Sequence, residues 1–163
     1  MTSLSAEEIL HWNDTTARHW HILFDEYPEA LAIPCDIREC STVAELLQHI
    51  VAAELRYTER LADEPITDYA DIPKSDTAAI FATHDRAVAK LRTLLVDDSY
   101  DWEREVDFVT RSAGTIIATR RTILFHALLH SIRHYAQLAT LLRHHGIKAA
   151  HQMDYLFMGA RLI

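Results

Sequence analysis

The stretch RRTILFHALLHSIRHYAQLATLLRHHG, residues 120–146, constrains this chain more than any other. Leu124, Leu128, Ile132, Leu138, Leu141 and Leu142 keep a helical period with no proline to interrupt it, which predicts one long helix. His126, His130 and His134 step along it four residues at a time. Side chains at that spacing share a face about 5–6 Å apart at Cβ, close enough for two imidazoles to meet one small cation. Each step of four falls about 40° short of a full turn, so the two adjacent pairs are better placed than the outer pair. Two of the three can bind a cation directly and the third supports them. An unpartnered buried imidazole is costly, and neutral imidazole is the commonest metal ligand.

The remaining chain reads as three further helices. Ser5 followed by Glu8, then Ile9, Trp12, Thr16, Trp20 and Phe24, predicts the first, ending before Pro28. Thr42 with Glu45 opens the second, with Val43, Leu46, Leu47, Ile50, Val51 and Leu55 on its apolar face. His49 lies within that helix, and Ala52 and Ala53 one turn on leave room beside it. Ser75 or Asp76 caps the third, with Ile80, Phe81, Val88, Leu91, Leu94 and Leu95 in period; His84, beside Asp85 and Arg86, is expected at the surface. Residues 103–119 turn β-branched and aromatic around Ala113-Gly114, which predicts an irregular, hairpin-like connection into the fourth helix, with Gly146 as its stop. The apolar tail, with Tyr155, Leu156, Phe157, Met158, Leu162 and Ile163, should pack on the body or on a partner.

Only three glycines and four prolines in 163 residues favour an all-α domain spanning 1–163. The formal charge of −8, with no dense basic run, argues against nucleic acid and anionic membrane surfaces. No apolar run reaches the roughly 20 residues that span a bilayer, and MTSLSAEEIL lacks the charged start and apolar centre of a signal peptide. Cys35 and Cys40 are one C-x4-C pair, poor for a zinc knuckle or a disulfide framework, so reduced thiols in the cytoplasm are expected.

Four helices with a long connection describe a bundle, whose metal sites lie between facing helices. His49 is the best complement to the fourth-helix histidines, being the one histidine on another well-patterned apolar helix. Three imidazoles leave a coordination position open, as catalytic sites do, where a divalent cation makes water or a thiol more acidic. Arg56, one heptad beyond His49, is a candidate for an anionic substrate group, with a surface salt bridge as the simpler role. Glu45 could orient an imidazole, though its cap position already explains it. The single E-x-x-H at Glu8–His11 does not make a di-iron site, and nothing marks either cysteine as a nucleophile.

TVAELLQHIVAAEL around His49, HALLHSIRHYAQL around His130 and His134, and the closing HHGIK…MDYLF resemble the DinB-like family, also described as DinB/YfiT-like metal-dependent hydrolases. The resemblance spans nearly the whole chain. It implies an up-down-down-up four-helix bundle, a homodimer, and a divalent metal, nickel or zinc, held by His49, His130 and His134, with His126 behind them in a supporting role. It also implies metal-dependent hydrolysis or sulfur transfer with a low-molecular-weight thiol on a small-molecule substrate. A non-catalytic bundle that binds a metal or small ligand is the alternative. Gln137 and Leu138 match the family's Gln-Leu, whereas Tyr135 and Ala136 stand where Arg and Gly are common.

Overall fold

A computed structural model describes residues 3–110, 113–149 and 151–160. The four expected helices are α1 (Ala6–Glu26), α2 (Val43–Leu61), α3 (Thr77–Leu95) and α4 (Arg120–His144). Each starts where its sequence offers an acceptor for orphan amides. At α1 the Ser5 hydroxyl accepts from the Glu8 amide at 3.2 Å and Glu8 accepts from the Ser5 amide at 2.7 Å. At α2 the Thr42 hydroxyl accepts from the Glu45 amide, but the Glu45 carboxylate reaches the amide of Ser41 rather than Thr42. Asp76, not Ser75, caps α3. Beyond α4, Gly146 adopts φ +81°, and the amides of Gly146 and Ile147 return to the carbonyls of Arg143 and Leu142. That pair of bonds is the Schellman closure.

The all-α expectation needs one correction. Within residues 103–119, β1 (Glu105–Thr110) and β2 (Gly114–Thr119) form a regular antiparallel pair, in register from Glu105↔Thr119 to Thr110↔Gly114. Alternating β-branched residues satisfy the ladder, and Gly114 at φ +71° makes the turn. Phe108 is buried, while Val109 and Ile117 on the other face are exposed.

α2 packs on α3 and α4, and α1 packs on the same two. The core divides in two. One cluster gathers around Trp20, Phe24, Leu46, Leu47 and Tyr135, the other around Leu61, Leu91, Ile123, Leu124 and Phe108. Polar residues from all four helices are buried as well: Asn13, Asp14, Glu54, His84 and Ser131. His84 is thus not a surface residue. It is 1% exposed and lies between the carboxylates of Glu54 and Asp14, at 2.7 and 3.4 Å. The tail lies on α1: the Trp12 indole donates to the Met153 carbonyl and Trp12 meets Tyr155 edge-on at 5.5 Å. Leu156 stays 70% exposed, and Leu162 and Ile163 lie outside the described residues. Among the described residues no helix is long and apolar enough to cross a membrane.

Candidate metal centre

α2 and α4 bring His49, His130 and His134 together. His49 lies half-buried at the edge of the apolar face of α2, about one turn from the buried Leu46. The rings of His49 and His130 lie 4.9 Å apart, those of His49 and His134 also 4.9 Å, and those of His130 and His134 4.5 Å. One nitrogen from each lies within 4.8 Å of the other two. The Nε2 atoms of His49 and His130 approach to 3.2 Å. Two nitrogens on a tetrahedral cation at the usual zinc–nitrogen length stand about 3.3 Å apart, so this pair has the separation a shared cation requires.

The tautomer of His134 follows from its neighbours. Gln137 Oε1 can only accept, so His134 Nδ1 carries the proton it donates across 2.7 Å. His134 Nε2 then bears the lone pair, and Arg133 Nη2 donates to it at 3.2 Å. Burial lowers the His134 pKa, with Arg133 adding to the effect against the Gln137 bond. Burial also lowers that of His130, to about 2, with His134 and His49 adding repulsion. Both rings are therefore neutral, the state in which imidazole ligates. His130 Nδ1 is buried with no hydrogen-bond partner among the described residues.

His126 continues the row outward. It is exposed, its ring lies 5.5 Å from that of His130, and it meets the Tyr57 ring edge-on at 5.0 Å. The hydrogen bond that orients a histidine of the group comes from Gln137, while His126 contributes to the wall. Glu45 is engaged at the start of α2, bonded to the Ser41 amide and to Lys74.

These rings open into a cavity of about 780 Å³, which Ala52, Ala53, Arg56, Tyr57, Tyr69 and Phe108 also line. The two alanines leave the space beside His49 that their size implies. Arg56 faces this cavity and donates to the Thr67 carbonyl at 3.0 Å. Three further arginines, Arg38, Arg60 and Arg133, share the lining and had no distinguishing sequence signal. Arg38 comes from the turn after α1 and takes φ +55° there.

A second cluster of potential ligands, Asp14, His84 and Asp85, meets the same distance limit. Its chemistry differs. Arg18 and Arg92 both hold Asp14, and burial of His84 is overridden by Glu54 and Asp14, which raise its pKa to about 10. A divalent cation there would face two guanidiniums and an imidazolium, so this is an ion-pair network. Cys35 is in no disulfide, and burial pushes its thiol up from its ordinary pKa. A raised thiol is a poor nucleophile at neutral pH.

The family model described as the DinB family matches residues 2–160. No curated protein matches the chain.

Proposed function

The chain belongs to the DinB family, and on that premise we propose that it is a metal-dependent enzyme, a hydrolase or a low-molecular-weight-thiol S-transferase, acting on a small molecule. The observation that carries this reading is the convergence of three imidazoles, two of them held neutral by burial, at the wall of a cavity large enough for a substrate. His49, His130 and His134 would hold the cation, and an all-imidazole set suits nickel or zinc. When bound, such a cation would act as a Lewis acid and make a water or thiol beside it more acidic. Gln137 fixes the His134 tautomer so that Nε2 has its lone pair available. Ala52 and Ala53 leave space for the reacting group, and Tyr57 and Phe108 supply an apolar wall for the rest of the substrate.

The same reading takes residues 1–163 as one cytoplasmic domain that forms a homodimer. It arranges the helices up-down-down-up. Several contacts support that arrangement. His49 meets His130 and His134 while Tyr57 meets His126, so α2 and α4 run antiparallel. Asn13 reaches Leu128 and Trp20 stacks on Tyr135, so α1 and α4 run parallel. Asp14 meets His84 and His21 stacks on Phe81, so α1 and α3 are antiparallel.

Elemental analysis of purified protein tests the ligand assignment. We expect close to one equivalent of metal in the parent and almost none in the His130→Ala/His134→Ala variant, with helical content unchanged by circular dichroism. Full metal content in that double variant would sink the assignment. One observation favours the non-catalytic alternative: Arg133 places a positive group on His134 Nε2, where a cation would otherwise sit. Cobalt-substituted protein separates the two readings. A change in its visible spectrum on adding a thiol marks an exchangeable position, and no response marks a bundle-steadying ion.

A further inference from the structure

The cavity beside the histidines carries charge of one sign. Among the described residues its charged side chains are Arg38, Arg56, Arg60 and Arg133, and no Asp or Glu lines it. This runs against the composition, which has 24 acidic and 16 basic residues. Most described arginines elsewhere are matched to carboxylates: Arg18 and Arg92 to Asp14, Arg104 and Arg120 to Asp63, Arg121 to Glu103. Among the described residues none of the four cavity arginines makes such a pair.

Arg56 and Arg60 are the half of this set that one helix carries. They stand one turn apart on α2, a spacing at which like charges repel. Neutral partners hold both in place: Arg56 donates to the Thr67 carbonyl, and the Arg60 guanidinium lies 4.4 Å from the centre of the Phe108 ring. These contacts fix the side chains and leave both charges uncompensated. Burial, with repulsion from Arg56, lowers the Arg60 pKa. Arg56 is seven residues beyond His49, about 10 Å along the helix axis. Arg133 stands at the other end, on His134 itself.

We infer that the ligand of this cavity is a multiply charged small organic anion, whose carboxylate or phosphate groups bind Arg56 and Arg60 while its reacting part extends towards the three histidines. The assignment of its reacting end rests on the proposed metal-dependent function, whereas the anion contacts are made by the protein alone. Guanidinium matches either oxyanion in a paired, charge-assisted geometry.

The test uses chelator-treated, metal-free protein titrated calorimetrically with tricarballylate and, separately, with inorganic pyrophosphate at low salt. We expect saturable one-to-one binding of at least one probe, weakened by added salt. Binding of tricarballylate alone identifies a carboxylate ligand, and binding of pyrophosphate alone a phosphate ligand. The Arg56→Gln/Arg60→Gln variant should lose at least about tenfold in affinity, as expected when two charge-assisted hydrogen bonds are removed. Arg143→Gln, an exposed arginine outside the cavity, should bind as the parent does. Circular dichroism melting keeps a folding defect distinct from a binding defect. Failure of both anions to saturate, unchanged affinity in the double variant, or an equal loss in Arg143→Gln would overturn the inference. Metal content is measured separately on protein that has met no chelator: if that protein holds no metal and takes up neither nickel nor zinc, the metal reading fails, and anion binding still leaves this one standing.

Discussion

His84 carries one formal charge into a place that solvent hardly reaches, and its neighbours determine whether that charge persists. Desolvation alone would drive the proton off. Glu54 at 2.7 Å and Asp14 at 3.4 Å oppose it more strongly, raising the pKa from 6.5 to about 10. The sign of the linked stability follows from that direction. His84 binds its proton more tightly folded than unfolded, so its stabilising contribution is fully present below about pH 6.5 and is lost as pH rises towards 10. Asp14 acts at the opposite end. Burial pushes its pKa up, but His84 and Arg18 outweigh burial and hold it well below 3.8, so its contribution is present in full above about pH 5 and is lost progressively as pH falls below that. Side-chain NMR should therefore show the His84 ring still protonated at pH 8; a ring titrating near 6.5 would contradict the network. His84→Ala leaves two buried carboxylates without their shared partner and should cost about 3–5 kcal/mol in urea unfolding at pH 6.5. A loss below about 1 kcal/mol would show that water already screens the pair.

At the level of elements, the helix ends carry information that a local reading recovers well. Gly146 shows why. At φ +81° an alanine would pay the left-handed penalty, and nothing lies within 4 Å of the site where its Cβ would stand. Gly146→Ala should thus cost about 1–2 kcal/mol purely through backbone conformation, lowering the melting temperature by roughly 2–8 °C. Asn should cost less, and an equal loss for Asn and Ala would argue against that cause. The caps at Ser5, Thr42 and Gly146 were legible because each motif lies within a few residues of sequence. Helical period made it legible that His49 would face the histidines of α4, while the family resemblance singled out His130 and His134 from His126. The hairpin's regularity was not legible, since its short strands look the same in sequence whether paired or merely extended. His84 was misread because its immediate neighbours, Asp85 and Arg86, are polar. Its spacing held the better signal: Ile80, His84, Val88 and Leu91 fall on one stripe, and the carboxylates that make burial tolerable lie 30 and 70 residues away. The cavity arginines were illegible for a related reason, because Arg38 and Arg133 reach the same space from separate elements.

Across the whole molecule, the three histidines bring the second helix and the last together beside the packing of their apolar faces. An ion that binds the folded arrangement and has no matching site in the unfolded chain must stabilise the fold by mass action. At free metal near 100 times its dissociation constant the gain is about 2.7 kcal/mol. For a chain of 163 residues this corresponds to a rise in melting temperature of roughly 5–10 °C. The His130→Ala/His134→Ala variant keeps one imidazole of the group and should show almost none of that rise. Because Arg18, Arg92 and protonated His84 already surround Asp14, replacing His84 should leave the metal-dependent increment intact even as it lowers the starting temperature. Calorimetric scans of the parent and these variants, with nickel, with zinc and with chelator, separate the two clusters. An increment that survives loss of His130 and His134 but disappears with His84 would place the ion in the buried network, and the joining of α2 to α4 would then be the work of side-chain packing alone.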